Sequence, residues 1–468
     1  MSKQVHDHKK TFESDSIGKL LLKMSIPATI GMIVNALYNL VDTIFVGQGV
    51  GAMGIAGLTI GLPIQMIIGA LGMTFGTGAA SIISRRLGEK KPDEAAKTAV
   101  NAFVLAFICS ISIMILGEIF MDPLLFIFGA TETVLPYARE YMQVILLGSF
   151  FLSFAMVGNN ISRAEGQPKI AMVTMIIGAG LNIILDPIFI FGLGMGIRGA
   201  AIATVISQFC SFAFIMRFMI AGKSHLPLKL SYVKLDTAIV KDINTLGLPT
   251  LVRQGGMSAL ALVINNVLRH YGGDFGIATY GMMNRLFMFT LMPIFGIVHG
   301  YQPIAGYSYG AKLFDRLREV NIKAMMTTSF MSFVGFLFLQ FFAEFLIRMF
   351  THDETLVQMA VPALRISSSA IFLLGLQVIC STYFMTVGKA FPAFFLSLSR
   401  QFIFLIPLVL ILPTFYGLNG VWYALPLADV LSAIVTVTWF SISWRKTRIE
   451  MTTGLTPDAA AEAAAVKV

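Results

Sequence analysis

The sequence predicts an all-α polytopic membrane protein whose twelve transmembrane helices form two six-helix lobes, related as parallel repeats, around a central cleft. Composition gives the first indication, because 56% of the 468 residues are hydrophobic, 13% are charged, and the mean hydropathy is +0.79. A soluble globular chain carries about 25% charged residues. A series of long apolar runs and an internal repeat give the second and third indications.

Twelve apolar runs follow one another along the chain. Each is close to or longer than the roughly 20 residues that an α-helix needs to cross about 30 Å of hydrocarbon. The predicted spans are 18–46, 54–82, 97–118, 138–161, 170–193, 198–221, 243–268, 276–304, 321–346, 360–386, 392–414 and 419–443. The first run is too long for the core of a signal peptide, and no small-residue cleavage pattern follows it. We therefore expect the N-terminal segment 1–16 to remain attached.

Basic residues concentrate in alternate loops, which gives the predicted orientation. The basic loops lie near residues 9–10, 85–97, 163–169, 223–234, 316–323, 389 and 445–448. The loops between them carry Asp122, Glu132, Asp274, Asp353 and Glu354, with Arg198 and Arg269 as the basic residues near them. The positive-inside rule then places both termini in the cytoplasm. The net charge of +9 does not indicate nucleic-acid binding, because the basic residues neither cover one surface nor alternate with aromatic residues.

An internal repeat appears when the sequence is shifted by 222 residues. The shift aligns Pro27 with Pro249, Gly51 with Gly273, Gly54 with Gly276, Gly78 with Gly300, and Gly88, Lys90 and Asp93 with Gly310, Lys312 and Asp315. Six crossings per half start both halves on the same side of the membrane, so the repeat is parallel and leaves a cleft between the lobes. The predicted boundaries are an N-lobe at 17–221, a cytoplasmic linker at 222–241, a C-lobe at 242–445 and a cytoplasmic tail at 446–468.

Polar side chains interrupt four of the apolar spans in the first half. They are Asn35, Tyr38, Asn39 and Asp42 in the first span, Asn159 in the fourth, Asn182 and Asp186 in the fifth, and Thr204 and Gln208 in the sixth. The four in the first span share one helical face. A charged side chain at the bilayer centre costs about 2.5–3.5 kcal/mol on insertion scales, so it is expected to face water, a partner or an ion.

The two acids, Asp42 and Asp186, are the candidates for ion coupling. If their helices meet, two carboxylates away from water can share one proton. With oxygen atoms of Asn182 and Thr204 added, the same group offers the hard ligands that Na⁺ accepts. The sequence leaves H⁺ and Na⁺ both open, as well as a purely structural role in locking helices together. Neither an organic cofactor nor a metal cofactor is expected.

In the second half, Asp429 is an acid well inside the twelfth span. Two interpretations stay open for it. The carboxylate contacts a cationic substrate, or it pairs with a basic side chain such as Arg400.

Several motifs in this chain are similar to those of a known transporter family. They are Ser-Ile-Pro at 25–27, Leu-Tyr-Asn-Leu-Val-Asp at 37–42, Ser-Arg-Arg-Leu-Gly at 84–88, Gly-Asn at 158–159, Arg-Ala-Glu-Gly at 163–166, and Gly-Leu-Asn-Ile-Ile-Leu-Asp-Pro-Ile-Phe at 180–189. Over roughly residues 17–445 the chain resembles the multidrug and toxic compound extrusion (MATE) family, in its prokaryotic DinF-like and MepA-like branch.

The resemblance implies a monomeric multidrug efflux antiporter in a bacterial or archaeal cytoplasmic (inner) membrane. It implies alternating access and export of bulky amphipathic, often cationic drugs or toxic metabolites in exchange for H⁺ or Na⁺, and hence antibiotic resistance. It also implies a coupling site at Asp42, Asn182, Asp186 and Thr204, with Tyr38, Asn39 and Asn159 beside it.

Two other functions were weighed. A flippase or exporter for a lipid-linked or endogenous amphiphile would need many cationic residues for a pyrophosphate, whereas the first lobe is acidic. A membrane-embedded enzyme is not expected, because HExxH, GxSxG and P-loop motifs are absent from the sequence.

Overall fold

The computed structural model describes residues 12–13, 15–222 and 224–453. Most of the predicted N-terminal segment 1–16 and the last part of the predicted tail 446–468 lie outside these residues.

The described part of the chain is built from long apolar helices. Eleven are long and apolar enough to cross a membrane, and one of them, Thr237–Gly310, is broken at Gly273 (φ 56°, ψ −153°) and supplies two crossings. The helices are α1 Ile17–Val50, α2 Ala52–Gly88, α3 Pro92–Ile119, α4 Leu135–Ala164, α5 Pro168–Pro187, α6 Gly196–Ile220, α7 237–272, α8 274–310, α9 Phe314–Phe341, α10 Glu354–Thr386, α11 Ala390–Tyr416 and α12 Leu418–Thr453.

These helices confirm the all-α polytopic fold and agree with the predicted spans to within a few residues. Most of them continue past the predicted ends, because the helix persists in the interfacial region where hydropathy no longer marks it. One end differs by more: the twelfth span is predicted to end at residue 443, whereas α12 continues to Thr453. The ninth span differs in the opposite direction, because it is predicted to reach residue 346. Helix α9 ends at Phe341, and a separate short helix, Ala343–Arg348, follows.

The chain divides into two compact units. The first contains residues Leu22–Leu251, and the second contains residues 252–453 together with Ser16–Leu21. The boundary lies inside α7, beyond the predicted linker 222–241. The linker itself is bonded to the first unit: the backbone N–H of Asp236 donates to Asn101 Oδ1 at 2.9 Å, and the hydroxyl of Tyr232 donates to Asp93 Oδ1 at 2.8 Å.

The first turns of α7 pack closely on α2 within the first unit. The hydroxyl groups of Thr77 and Thr250 are 3.0 Å apart. A Cβ atom added to Gly78 would collide with the carbonyl oxygen of Ile243, and one added to Gly247 would collide with the carbonyl oxygen of Thr74. Small residues let helix backbones approach in this way, which explains why residues 237–251 belong to the first unit.

Backbone geometry repeats with the spacing that the sequence indicates. Among the described residues, the two non-glycine residues with positive φ are Lys90 (62°) and Lys312 (56°), which are 222 positions apart. The same spacing relates Gly51 (81°) to Gly273 (56°) and Gly166 (82°) to Gly388 (84°), and a spacing of 221 relates Gly196 to Gly417, both at 56°. The two halves are therefore structural repeats. The second half has one residue fewer than the first between its fifth and sixth helices, α11 and α12.

Candidate functional site

The two predicted acids of the first unit meet in its interior. Asp42 on α1 is 6% exposed, and Asp186 at the end of α5 is fully buried. Their carboxyl groups lie close enough to interact directly. The sequence-based expectation that these two helices bring their acids together thus agrees with the structure.

Asn182 connects this pair to the neighbouring helix. Its Nδ2 atom donates to Asp186 Oδ1 and to Thr204 Oγ1, both at 3.2 Å. The four predicted coupling residues therefore form one cluster across α1, α5 and α6, which we call the acid cluster: Asp42, Asn182, Asp186 and Thr204.

The acid cluster holds spare acceptor atoms. Within the part of the chain that the structure describes, the buried atoms Asp42 Oδ1, Asn182 Oδ1 and Asp186 Oδ2 have no hydrogen-bond partner. Buried polar atoms are nearly always paired. Carboxylate and amide oxygens that are buried without a partner suit a proton shared by the acids or a hard monovalent cation.

A proline sets the end of the helix that carries two of these residues. Pro187 has no N–H, so it cannot bond to the carbonyl of Ile183 one turn earlier. Helix α5 ends at Pro187, and the chain continues as a π-helical turn, Ile188–Gly192. The local sequence thus places Asp186 at a helix terminus, beside a carbonyl without its usual helical donor.

A cavity of about 160 Å³ lies in the first unit beside the acid cluster. Its polar lining is Asn35, Tyr38, Asn159, Thr174, Asn182, Thr204, Ser207, Gln208 and Ser211, and its apolar lining is Leu152, Ala155, Met156, Met175, Gly178 and Ala179. Drug-sized ligands occupy about 300–1,000 Å³. In this conformation the cavity has room for several water molecules but not for a bulky compound.

Of the predicted residues of the first span, Asp42 and Asn39 are not among those that line the cavity. Asp42 is one of the acids of the neighbouring acid cluster. Asn39 belongs to neither group. It is exposed, and its Nδ2 atom donates to the carbonyl of Asn35 on the same helix at 2.7 Å. Consecutive side chains of an α-helix point about 100° apart. Because Tyr38 is turned toward the cavity, its neighbour Asn39 is turned to the side.

Comparison with known proteins identifies the family. The MatE family model matches residues 27–188 and again residues 249–411, so the two matches begin 222 positions apart. The chain belongs to the MATE family. This confirms the resemblance seen in the sequence, and it makes the protein a multi-pass membrane transporter.

Individual MATE relatives are similar over nearly the whole chain. The multidrug export protein MepA of Staphylococcus aureus (strain MRSA252) is 28% identical over 429 residues, covering 91% of this chain and 94% of the relative. A structure of the MATE multidrug transporter DinF-BH, solved as a ligand complex, is 45% identical, with a TM-score of 0.85 and coverage of 90% and 95%. A MATE structure in the bent conformation is 30% identical, with a TM-score of 0.90 and coverage of 96% and 99%.

Two residues next to the acid cluster were not singled out from the sequence. Tyr141 on α4 is 2% exposed and lies close enough to Asp42 and Tyr38 to interact electrostatically, and its hydroxyl accepts a hydrogen bond from Gln65 Nε2 at 2.9 Å. Gln65 is an isolated polar residue on its helix, without a one-turn companion. Tyr141 lies near the start of α4, where Tyr137, Arg139 and Glu140 are also polar, so it does not stand out.

Asp429 lies in the second unit and has a basic partner there. Arg400 Nε donates to Asp429 Oδ1 at 2.6 Å. Of the two interpretations open from the sequence, the structure places Asp429 in an ion pair with Arg400.

A further buried acid, Glu165, follows α4 outside the spanning helices. It is 1% exposed, and its Oε2 atom accepts hydrogen bonds from Ser224 Oγ at 2.8 Å and from the backbone N–H of His225 at 2.7 Å. Burial raises the pKa of this carboxyl from 4.5 to about 7. Glu165 thereby ties the start of the linker to the first unit.

The pH dependence of stability should report on Glu165. Between pH 4.5 and 7, Glu165 holds a proton in the folded state that it has lost in the unfolded state. Its contribution to the free energy of unfolding is therefore fully present below pH 4.5 and is lost as the pH rises to about 7. The total is about 3 kcal/mol. In thermal unfolding of the purified protein, the apparent melting temperature of Glu165→Gln should therefore fall less over this range than that of the wild type. Parallel curves would contradict the assignment.

Proposed function

We propose that the protein is a secondary active multidrug efflux antiporter, which exports bulky amphipathic and often cationic compounds in exchange for H⁺ or Na⁺ by alternating access. The observation that carries the proposal is the acid cluster, in which two carboxylates interact and buried acceptor atoms have no hydrogen-bond partner. The functions of MepA, a multidrug export protein, and of DinF-BH, a multidrug transporter, support the substrate class.

Ion binding would change the packing of three helices through the charge of the acid cluster. With both acids ionised, two anions repel each other away from water, and a proton or Na⁺ removes that repulsion. Asn182 relays the change, because it bonds to Asp186 on its own helix and to Thr204 on α6. A ligand shifts a conformational balance only by its differential affinity for the two states, so the ion must prefer the state in which the cluster is closed.

The membrane potential supplies enough energy for useful export. A charge moving inward across roughly 100 mV releases about 2.3 kcal/mol, which sustains a substrate gradient of about fiftyfold with one ion per substrate.

The cavity beside the acid cluster is the proposed place where substrate begins to be accommodated. It must enlarge to take a drug-sized compound, and Met156 and Met175 in its wall can repack around varied shapes. Tyr38 offers an aromatic face that attracts organic cations. The described lining contains neither Lys nor Arg, which gives no support to a flippase for a pyrophosphate-linked lipid.

We further propose a monomer in a bacterial or archaeal cytoplasmic membrane with both termini in the cytoplasm. The coupling ion is the inorganic ligand in this scheme, and we propose no organic cofactor. The alternation of basic and acidic loops supports this orientation.

Ethidium efflux from proteoliposomes under separately imposed pH and Na⁺ gradients tests the proposal. We expect one of the two gradients, imposed in the inward direction, to drive ethidium export above the rate seen without a gradient. Export that neither gradient accelerates would contradict antiport. Protein-free vesicles under the same gradients serve as the control for passive leakage.

A further inference from the structure

Four residues of the second unit occupy the repeat positions of four cavity-lining residues of the first unit. The spacing of 222 holds through α5 and the spacing of 221 holds from Gly196 onward, as the backbone geometry indicates. By these spacings, Ala155, Gly178, Gln208 and Ser211 correspond to Gln377, Arg400, Asp429 and Ser432.

The first unit leaves one of these positions without a side chain. A Cβ atom added to Gly178 would lie 2.7 Å from Ser211 Oγ, which is too close, so the first unit could hold a larger residue there only if Ser211 shifted. In the second unit the counterpart of Gly178 is the longest basic side chain, Arg400.

The four polar residues at the corresponding positions of the second unit are bonded in two pairs. Arg400 Nε donates to Asp429 Oδ1 at 2.6 Å, and Gln377 Nε2 donates to the hydroxyl of Ser432. Asp429 is 4% exposed and Ser432 is fully buried. The remaining titratable group facing Arg400 is Tyr280 on α8, which lies close enough to interact electrostatically.

Charge distinguishes the two units. The acid cluster of the first unit has two acids without a basic partner in the described contacts, whereas the buried acid of the second unit has a guanidinium at hydrogen-bonding distance. Removing one partner of a buried ion pair leaves a charge that must be neutralised by a proton or another cation.

We propose that Arg400 is a tethered cation: it replaces, in the second unit, a glycine that lines the cavity of the first unit, and it holds Asp429 in a neutralised pair that accepts neither H⁺ nor Na⁺. Ion coupling is then confined to the first unit. Without Arg400, Asp429 becomes a latent site for a proton or a monovalent cation.

The test isolates the second unit by removing the two acids of the first. In a D42N/D186N background we compare four purified proteins: the background alone, and the background carrying R400M, R400M/D429N or R400K. Melting temperatures are measured at about pH 5 and about pH 8, with Na⁺ or with choline. Glu165 is common to all four, so its titration cancels in the comparison.

Of the four proteins, only the one carrying R400M should show a melting temperature that rises, relative to the background, when H⁺ or Na⁺ is added. Its melting temperature should rise by about 2 °C or more at acidic pH or with Na⁺, relative to the background. R400M/D429N and R400K should follow the background. An R400M response equal to that of the background would overturn the proposal.

Failure of the R400M protein to fold at pH 8 is also informative. Recovery of folded R400M at pH 5 supports a carboxylate that needs a proton. Failure at both pH values, with R400M/D429N folded at both, would overturn the proposal. Because the first unit's acids are absent, neither result depends on the proposed antiport, and failed antiport would leave this comparison interpretable.

Discussion

Asp42→Asn and Asp186→Asn should each abolish ion-driven export while the protein still folds. Asparagine has the shape of aspartate, but it neither takes up a proton nor supplies a negative charge for Na⁺. The acid cluster of each variant would therefore no longer bind the coupling ion as the wild type does. The substrate gradient that wild-type protein sustains, up to about fiftyfold at one ion per substrate, should fall to simple equilibration. Ethidium accumulation in proteoliposomes and drug resistance of cells expressing each variant measure this loss.

An exposed acid provides the matched control. Asp274, at the start of α8, is exposed, and Asp274→Asn should leave export unchanged. The melting temperatures of the Asn variants establish that they are folded. Full drug resistance in both Asp42→Asn and Asp186→Asn would remove the acid cluster from the mechanism.

Among the single substitutions proposed as tests, Gly247→Ala should cause the largest loss of folded protein. A single methyl group at this position would collide with the backbone carbonyl of Thr74, and backbone cannot move aside as a flexible side chain can. Overpacking of a tight contact costs about 1–3 kcal/mol and occasionally more, and we expect the upper end of that range. The yield of monodisperse protein and its melting temperature are the measurements.

A glycine on the same helix serves as the comparison. No described atom other than those of its own helix and chain neighbours lies within 4 Å of a Cβ atom placed on Gly255. Alanine is favoured over glycine inside a helix by up to about 1 kcal/mol, so Gly255→Ala should be neutral or slightly stabilising. Equal melting temperatures for the two variants would mean that α2 and α7 are not packed as described.

The twelve helices could be predicted because each apolar run has the length that a bilayer demands. Their ends could not, since a helix continues through the interface after hydropathy has fallen. Helix α9 is the converse case: residues 342–346 are apolar except for Glu344, but the backbone turns at Phe342 and a new helix starts. Hydropathy measures the environment of a segment and does not record where hydrogen bonding along it is interrupted.

The residues of the acid cluster could be named from the sequence because polar groups are rare and costly in lipid. Their proximity could not be derived from one helix alone. Gln65 was missed because a single amide in an apolar run gives no periodic signal, and Tyr141 because it lies among the polar residues at the start of its helix. The partner of Asp429 stayed open between Arg400 and a substrate, because a linear pattern does not fix which helices of a bundle touch.

Ion release on substrate binding tests the coupling of the acid cluster to drug most directly. Purified transporter in weakly buffered detergent solution is mixed with ethidium, and released H⁺ is followed with a pH dye and released Na⁺ with a sodium-selective electrode. Wild-type protein is expected to release one of these ions as ethidium binds, and the double variant D42N/D186N is expected to bind ethidium without releasing either. Release of the same ion by the double variant would contradict the account.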